Sequence, residues 1–269
     1  MIEKLEVAGA EKVIVHGATW RECDAYLRET VIKEAKSGGE ETIYVPPFDG
    51  EAIWDGASTM VDEWERQLAT TSTSTSIVLP TETETAGAGA GAENGTEPGS
   101  VGKGKERDQA DVVICSVGGG GLFTGLCQGL ETSESTRTRI IAVETKGADS
   151  LSQSVKAKYL VTLPGITSIA TSLGATQVCS AALAYALEDN VKTLVVSDKQ
   201  AVEACLRYAE EERMLVEPAC GASLAVLYSG LLKEVIGEVR EDMKVVVVVC
   251  GGSNVGLDLL MKYKGDFGL

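Results

Sequence analysis

The four consecutive glycines at positions 118–121 are the feature of the sequence best suited to bind a ligand. They lie between the apolar stretch VVICSV, which predicts a buried strand, and the stretch LFTGLCQGLE, which predicts a helix. Glycine lets backbone N–H groups converge where a side chain would block the approach, and the first amides of a helix add positive potential. The position therefore predicts a site that binds a phosphate group through backbone amides.

Two known nucleotide-binding motifs that also use glycine fit poorly. A Walker loop requires a Gly-Lys-Ser/Thr that does not follow here. The pattern G-x-G-x-x-G requires a third glycine, but Phe123 and Thr124 stand at the two candidate positions. Glu144, at the end of the next predicted strand, could still bind a ribose, so a dinucleotide site stays open as an alternative. A turn without any ligand is also open, although one or two glycines suffice for a turn.

Two further segments could contribute to the same site. Cys250 is followed by Gly251 and Gly252 directly after the stretch VVVVV, and the string EPACGA at residues 217–222 precedes another predicted helix. Ligands gather at the carboxyl ends of the strands in an open parallel sheet, so we expect the two glycine turns to face one pocket. Taken alone, each of these two segments is also typical of a structural turn, and Cys250 of a buried strand thiol.

The elements that must position these residues alternate between apolar strands and helices. VVICSV, IIAVET, TLVVS and VVVVVC predict strands, and the stretches between them predict helices. Continuous β-branched runs of this kind are typical of a parallel sheet covered by helices on both faces. The predicted fold class is therefore α/β, with open, mostly parallel sheets covered by helices.

The chain divides into three predicted parts. Residues 1–68 predict a smaller α/β unit, with short strands at 12–16 and 42–45 and helices that begin at Ile2 and cover 20–37 and 57–68. Residues 69–109 contain TTSTSTS, TETET and AGAGAGA, which cannot bury enough apolar surface to offset the entropy of ordering. This part is predicted to be a flexible insertion, and residues 110–269 a large α/β domain.

Charge and cysteine content narrow the classes of partner and compartment. The net charge of −16 argues against nucleic acid or an anionic membrane as a partner, because either needs a positive surface. Seven cysteines without a C-x-x-C pair predict free thiols in a reducing compartment rather than a zinc or redox site. Since no apolar run reaches the ~20 residues that cross a bilayer and the first residues are acidic, we expect a cytoplasmic location.

Seven strings in a fixed order carry a resemblance to a known family. They are IEKLEVAGAEKVIVHG, YVPPFDGEAIWDG, ICSVGGGGLFTGLCQGL, AVETKGADSL, ITSIATSLGA, LVEPACGASLAVLY and VVVVVCGGSN. Together they resemble the L-serine/L-threonine dehydratases of the tryptophan-synthase-β-like family (fold type II), which depend on pyridoxal 5'-phosphate (PLP). The resemblance covers nearly all of the chain apart from residues 69–109. The Cys250 turn and the EPACGA string favour the dehydratases over the racemases and cysteine synthases of the same fold.

The resemblance implies an activity and a domain assignment. The activity is β-elimination of L-serine to pyruvate and ammonia, with L-threonine as a second candidate substrate, in amino-acid metabolism that supplies gluconeogenesis. Residues 1–68 would be a remnant of the smaller domain with its connecting segment, and residues 110–269 most of the large PLP-binding domain. A complete chain would form a homodimer.

The resemblance also implies roles for individual residues. The PLP phosphate would be bound by Gly118, Gly119, Gly120, Gly121 and Leu122. Cys250 would be the neutral partner of the pyridine nitrogen, and a thiol there would not hold that nitrogen protonated, which suits rapid elimination of a hydroxyl. A monovalent cation such as K⁺ would be held by backbone carbonyls at Gly118, Ala148, Leu173 and Ala175, with Glu144 nearby.

The sequence departs from the family pattern where the family carries its catalytic lysine. That lysine lies in an S-x-K-x-R type motif, which is followed by an S-S-G-N loop for the substrate carboxylate, and neither string occurs in these 269 residues. Without an amine, PLP could bind through its phosphate but could not be held covalently. No catalytic residue is therefore assigned, and we expect a truncated product or an incomplete gene model.

Two hypotheses for function follow from this departure. The first is an L-serine ammonia-lyase by descent. The second is an inactive fragment or pseudoenzyme that retains the phosphate-binding turn and acts as a binding or subunit partner. The single histidine, His16, lies in the predicted strand at 12–16 and is expected to be a partly buried structural residue in either case.

Overall fold

A four-stranded parallel sheet forms the centre of the molecule. The computed structural model describes residues 2–74, 109–133, 135 and 137–269. The sheet has the order β3-β2-β1-β4, and every neighbouring pair is parallel. Its strands are β1 (Val112–Ser116), β2 (Arg139–Thr145), β3 (Val191–Val196) and β4 (Val245–Val247). The predicted α/β class with a parallel sheet is confirmed.

Helices cover both faces of this sheet. Those that follow β1 are α5 (Gly121–Thr132), α6 (Ser150–Ala157), α7 (Ser180–Ala186), α8 (Asp198–Glu212), α9 (Pro218–Tyr228), α10 (Leu232–Ile236) and α11 (Leu257–Phe267), with a 3-10 turn at Thr171–Leu173. Alternate residues of β1 point to opposite faces: Val112 and Ile114 enter one apolar core, and Val113 and Cys115 the other. All five residues of β1 are buried, as a strand covered on both sides requires.

The segment before the sheet is mostly helical. It contains α1 (Ile2–Val7), α2 (Trp20–Tyr26), a π-helical turn (Leu27–Val31), α3 (Ile32–Ser37) and α4 (Glu51–Ser74). Helical structure is thus continuous over the predicted 20–37, while the helix predicted at 57–68 extends further at both ends. The predicted insertion, residues 69–109, lies for the most part outside the described residues.

Helix α4 packs closely on α5 because two glycines of α5 leave room for it. A Cβ atom at Gly125 would lie 2.5 Å from Cβ of Ala57, and one at Gly129 would lie 2.5 Å from Cγ2 of Val61. Val61 is fully buried in the core on this side of the sheet. The contact fixes the N-terminal segment against the helix that begins at the glycine turn.

Two predicted strands, at 12–16 and 42–45, are wrong. Both segments lack regular secondary structure, and neither pairs with a strand in the part of the chain that the structure describes. Val15 is 76% and Ile43 87% exposed, whereas Val13 and Thr42 are half-buried. His16, which was expected to be partly buried in the first of these strands, is exposed. A strand is stable only when a neighbouring strand accepts and donates its backbone hydrogen bonds, so local β propensity alone was insufficient.

The later elements differ from prediction mainly in their ends. The single helix predicted to follow the EPACGA string is two helices, because Gly230 takes a left-handed conformation (φ +70°) between α9 and α10. The strand predicted over 245–250 is short, and β4 ends at Val247. None of the described helices is both long and apolar enough to cross a membrane.

Candidate active site

A cavity of about 430 Å³ lies at the carboxyl ends of β1 and β4. Both glycine turns line it, as expected for an open parallel sheet. Its other walls are residues 171–175, the start of α9 and three side chains of the N-terminal segment, Trp20, Pro47 and Phe48. The volume falls in the range of roughly 300–1,000 Å³ typical of small-molecule sites.

The turn at residues 118–121 has no space for side chains. A Cβ atom at Gly118 would lie 3.1 Å from the carbonyl oxygen of Ser172, and one at Gly120 would lie 2.5 Å from Cβ of Ala182. At Gly119 it would overlap the ring of Phe48, and at Gly121 it would lie 2.7 Å from the Phe48 carbonyl oxygen. Close packing therefore excludes a Cβ atom at Gly119, Gly120 and Gly121, and at Gly118 the neighbouring backbone would have to shift by a few tenths of an ångström.

The same turn presents free backbone donors at the start of α5. The first intrahelical bond of α5 runs from Thr124 N to Gly120 O, at 2.8 Å. The amides of Gly121, Leu122 and Phe123 precede that bond and have no intrahelical acceptor. Gly120 stands at the N-cap with φ +98° and has no side chain that could cap them. This set of donors, with the positive end of the helix dipole, suits a phosphate dianion.

The described side chains around the cavity add no positive charge. Among the described residues that line it there is no lysine, arginine or histidine, and Glu217 is the only charged side chain. An anionic ligand would therefore be held by backbone amides. The described residues also contain no group of three or more His, Cys, Asp or Glu side chains that could hold a metal ion.

Cys250 opens onto this cavity as a neutral thiol. Its side chain is exposed, whereas Cys220, which lines the same cavity, is 2% exposed. Desolvation, followed by the nearby Cys220 and Glu217, raises the pKa of the Cys250 thiol. Desolvation also raises the pKa of the Cys220 thiol. Cys250 could therefore donate or accept a hydrogen bond without carrying charge.

The wall at residues 171–175 is held from two directions. Asn254 Nδ2 donates to Ser172 Oγ at 2.8 Å, which connects the wall to the end of the Cys250 turn. On the other side, Ser168 Oγ donates to Asp198 Oδ1 at 2.6 Å. Asn254 thus holds the wall itself, and Asp198 holds the segment that leads into it.

Three of the four residues predicted for a cation, Gly118, Leu173 and Ala175, line the cavity. Ala148 is not among the lining residues, although it is 1% exposed and shares an apolar core with Leu173. A Cβ atom at Gly118 would lie 3.2 Å from Cα of Leu173, so these two segments of backbone are close.

Glu144 does not line the cavity. It is fully buried, and its carboxylate accepts hydrogen bonds from the backbone N–H groups of Leu151 and Ser152, both at 2.7 Å. Desolvation raises the pKa of the Glu144 carboxyl to about 7, against the opposing effect of these hydrogen bonds. The carboxylate is engaged at the first turn of α6, which leaves the dinucleotide alternative without its ribose-binding acid.

The residue pattern alone did not single out the aromatic wall of the cavity. The rings of Trp20 and Phe48 lie 4.7 Å apart between centroids, and Trp54 Nε1 donates to the Phe48 carbonyl oxygen at 2.8 Å. The only signal was the string YVPPFDG, quoted for its resemblance to a family. Tertiary packing, rather than local pattern, brings these rings to the glycine turn.

Comparisons with known proteins agree with this geometry. Residues 103–251 match the family described as "Pyridoxal-phosphate dependent enzyme". The chain is 39% identical to an L-serine dehydratase of Saccharomyces cerevisiae (strain AWRI1631) over 94% of this chain and 66% of the relative. It is 35% identical to a "Serine dehydratase-like" protein of Mus musculus over 100% of this chain and 69% of the relative. The chain thus spans about two thirds of the length of these relatives.

Solved structures show the same fold. A fungal L-serine ammonia-lyase from Rhizomucor miehei superposes with a TM-score of 0.78 at 29% identity, over 99% of this chain and 70% of that chain. The processed threonine deaminase isoform 2 from Solanum lycopersicum shares the fold with a TM-score of 0.70 at 20% identity, over 98% of this chain and 58% of that chain. With the family match and the serine dehydratase relatives, these likenesses show that the chain belongs to the pyridoxal-phosphate-dependent enzyme family.

Proposed function

We propose that the protein is an L-serine ammonia-lyase, which converts L-serine to pyruvate and ammonia, with L-threonine as a second candidate substrate. The observation that carries the proposal is the cavity shared by the glycine turn of residues 118–121 and Cys250. Membership of the family makes PLP the cofactor and a small amino acid the substrate. The names of the relatives favour serine as that amino acid.

The residues of the cavity fit PLP. When bound, PLP withdraws electrons from the α-carbon of the substrate. Gly118, Gly119, Gly120, Gly121 and Leu122 would hold its phosphate, because each glycine is closely packed and the first amides of α5 have no intrahelical acceptor. Cys250 would orient the pyridine nitrogen without protonating it, since the pKa of its thiol is raised. Trp20 and Phe48 would exclude water from the opposite wall.

We further propose a K⁺ site formed by backbone carbonyls of Gly118, Ala148, Leu173 and Ala175. Three of these residues line the cavity, and Ala148 is buried in the same core as Leu173. Carbonyl oxygens are ligands that hard cations prefer. Such a cation would stabilise the contact between the glycine turn and the wall at residues 171–175.

We also propose a domain organisation, an oligomeric state and a location for the protein. Residues 110–269 would form the large PLP-binding domain, residues 1–68 part of the smaller domain with its connecting segment, and residues 69–109 an insertion between them. A homodimer is proposed from the family, and a cytoplasmic location from the seven cysteines, all of which are free. The anionic chain makes a nucleic acid or an anionic membrane an unsuitable partner.

The experiment that tests this function is reduction with borohydride in the presence of PLP, followed by intact mass and peptide mapping. No lysine is among the described residues that line the cavity. Lys4, however, donates to the Ser253 carbonyl oxygen at 3.2 Å, beside the Cys250 turn, so Lys4 is the first amine to examine for an adduct. Because inorganic phosphate would occupy the same backbone amides, it should compete with formation of that adduct but not with random labelling of surface lysines.

The outcomes separate the two hypotheses for function. A single adduct that phosphate suppresses, together with release of pyruvate from L-serine, supports the ammonia-lyase. PLP binding without an adduct or pyruvate supports the pseudoenzyme instead. A folded chain that shows no PLP binding at all contradicts the assignment of the cavity. A Lys4→Ala variant checks that the mapped amine is the one responsible.

A further inference from the structure

We propose that Glu217, the first residue of the EPACGA string, is a clamp: it holds the turn at residues 251–254 and so acts as a positioning residue for Cys250. The string was singled out by its sequence, but the proposed function gives it no role. The inference rests on the proposed function in one respect, because the position of Cys250 affects cofactor binding only if PLP occupies the cavity. The clamp itself is a property of the polypeptide and is testable without PLP.

Glu217 fixes the turn at residues 251–254 through both its backbone and its side chain. Its backbone N–H donates to the Gly251 carbonyl oxygen at 2.9 Å, and its Oε2 accepts from the Asn254 backbone N–H at 3.0 Å. Gly252 packs directly on the carboxylate: with φ +108° and no Cβ it leaves a space that a Cβ atom would overlap with Glu217. The turn therefore wraps around a side chain that is only 6% exposed.

The carboxylate of Glu217 serves this turn and not its own helix. Glu217 stands at the N-cap of α9, followed by Pro218 at the first helical position, and its side chain makes no capping hydrogen bond. A polar N-cap side chain ordinarily accepts from the second or third amide of its helix. Here Oε2 of Glu217 instead accepts from the backbone N–H of Asn254, which lies 37 positions later in the chain. This geometry favours a role in holding the turn over a role in starting the helix.

The far end of the turn is joined to the opposite wall of the cavity. Asn254 donates through its backbone to Glu217 and through Nδ2 to Ser172 Oγ. The turn that carries Cys250 is thus fixed by α9 on one side and by the 3-10 turn on the other.

The test compares how fast iodoacetamide alkylates Cys250 in four proteins, with peptide mass mapping. These are the unmodified chain, Glu217→Ala, Glu217→Gln and the control Glu210→Ala, which removes an exposed carboxylate of α8. Losing a hydrogen bond to a buried charged group releases the turn, so we expect Glu217→Ala to react about tenfold faster. Glu217→Gln retains an oxygen that accepts from Asn254, and it should stay within about twofold of the unmodified chain. The control should be unchanged.

Alkylation of Glu217→Ala at the unmodified rate overturns the clamp. So does a Gln variant that reacts as fast as the Ala variant, because the effect would then come from charge and not from the hydrogen bond. If Glu217→Ala does not fold, Gly252→Ala decides the question, since its Cβ would push the turn off the carboxylate and should also accelerate alkylation. If folded Gly252→Ala is alkylated at Cys250 no faster than the unmodified chain, the clamp is overturned.

A second arm with PLP separates this inference from the proposed function. PLP should slow alkylation of Cys250 in the unmodified chain, and Glu217→Ala should need about tenfold more PLP for the same protection. No protection of the unmodified chain contradicts the proposed cofactor site but leaves the comparison of the variants valid. Protection of Glu217→Ala at the same PLP concentration as the unmodified chain contradicts the clamp alone.

Discussion

The Ser168 hydroxyl donates a 2.6 Å hydrogen bond to Asp198 Oδ1, a residue 30 positions later in the chain. The other oxygen of Asp198 accepts from the Ile169 backbone N–H at 3.1 Å. Since Ser168 uses its proton for Asp198, the Thr145 hydroxyl donates to Ser168 Oγ at 2.8 Å, and Ala170 N–H donates to it at 3.0 Å. The network joins the last residue of β2 and the first residue of α8 to residues 168–170, which lead into the cavity wall.

Replacing Asp198 with alanine should destabilise the protein and loosen this wall. The change leaves the buried Ser168 hydroxyl and the Ile169 amide without their charged acceptor, and hydrogen bonds to charged groups contribute about 1.5–3 kcal/mol each. We expect a loss of about 3 kcal/mol in the free energy of unfolding, measured with urea. Asp189→Ala, which removes an exposed carboxylate, is the matched control. Equal unfolding midpoints for the two variants would show that the network has no stabilising role.

Replacing Gly119 with alanine should weaken both stability and phosphate binding. The new methyl group would overlap the Phe48 ring, and overpacking of this kind costs about 1–3 kcal/mol. Either Phe48 or the glycine turn must move, so we expect inorganic phosphate and PLP to bind more weakly. Calorimetric titration with each ligand measures this effect.

The control for Gly119 is Gly56, which lies within α4 and where an added Cβ would meet nothing within 4 Å. Gly56→Ala should raise the free energy of unfolding by about 0.5–1 kcal/mol, because alanine is the better helix former. It should leave phosphate binding unchanged. A similar loss of binding in both variants would contradict a specific role for the glycine turn.

The sheet and its helices could be predicted from the sequence because their signals are local. The continuous apolar stretch VVICS predicts a strand buried on both faces, and the structure shows all five residues buried. The glycine turn after it was also predictable, since its position between strand and helix already determines the direction of its amides. The Cys250 turn was predicted to share its pocket, and both turns line one cavity.

The contacts that complete the cavity depend on residues far apart in sequence. Asp198 approaches Ser168 only through tertiary packing, and nothing in the local pattern of either residue indicates the other. The same holds for Phe48, whose ring covers Gly119. The strands predicted at 12–16 and 42–45 are wrong for a related reason. Their local β propensity is high, but a strand also requires a pairing strand, which local sequence does not reveal.

The stability of the protein should depend on pH through Glu144. Desolvation raises the pKa of this carboxyl from 4.5 to about 7 in the folded protein. Between these two values the folded state binds more protons than the unfolded state, so stability falls as pH rises. The contribution of the protonated Glu144 carboxyl to the free energy of unfolding is fully present below pH 4.5 and is lost by about pH 7.

Glu144→Gln removes the titrating group while keeping the shape of the side chain. As the pH rises from acidic to neutral, the unmodified chain should therefore lose about 3 kcal/mol of unfolding free energy relative to this variant. Urea unfolding at about pH 5 and about pH 8, in buffer without K⁺, measures this shift. An exposed control on α8, Glu203→Gln, should show a constant difference. If the Glu144→Gln difference is equally constant, Glu144 is charged throughout this range, and its hydrogen bonds from Leu151 and Ser152 outweigh the cost of desolvation.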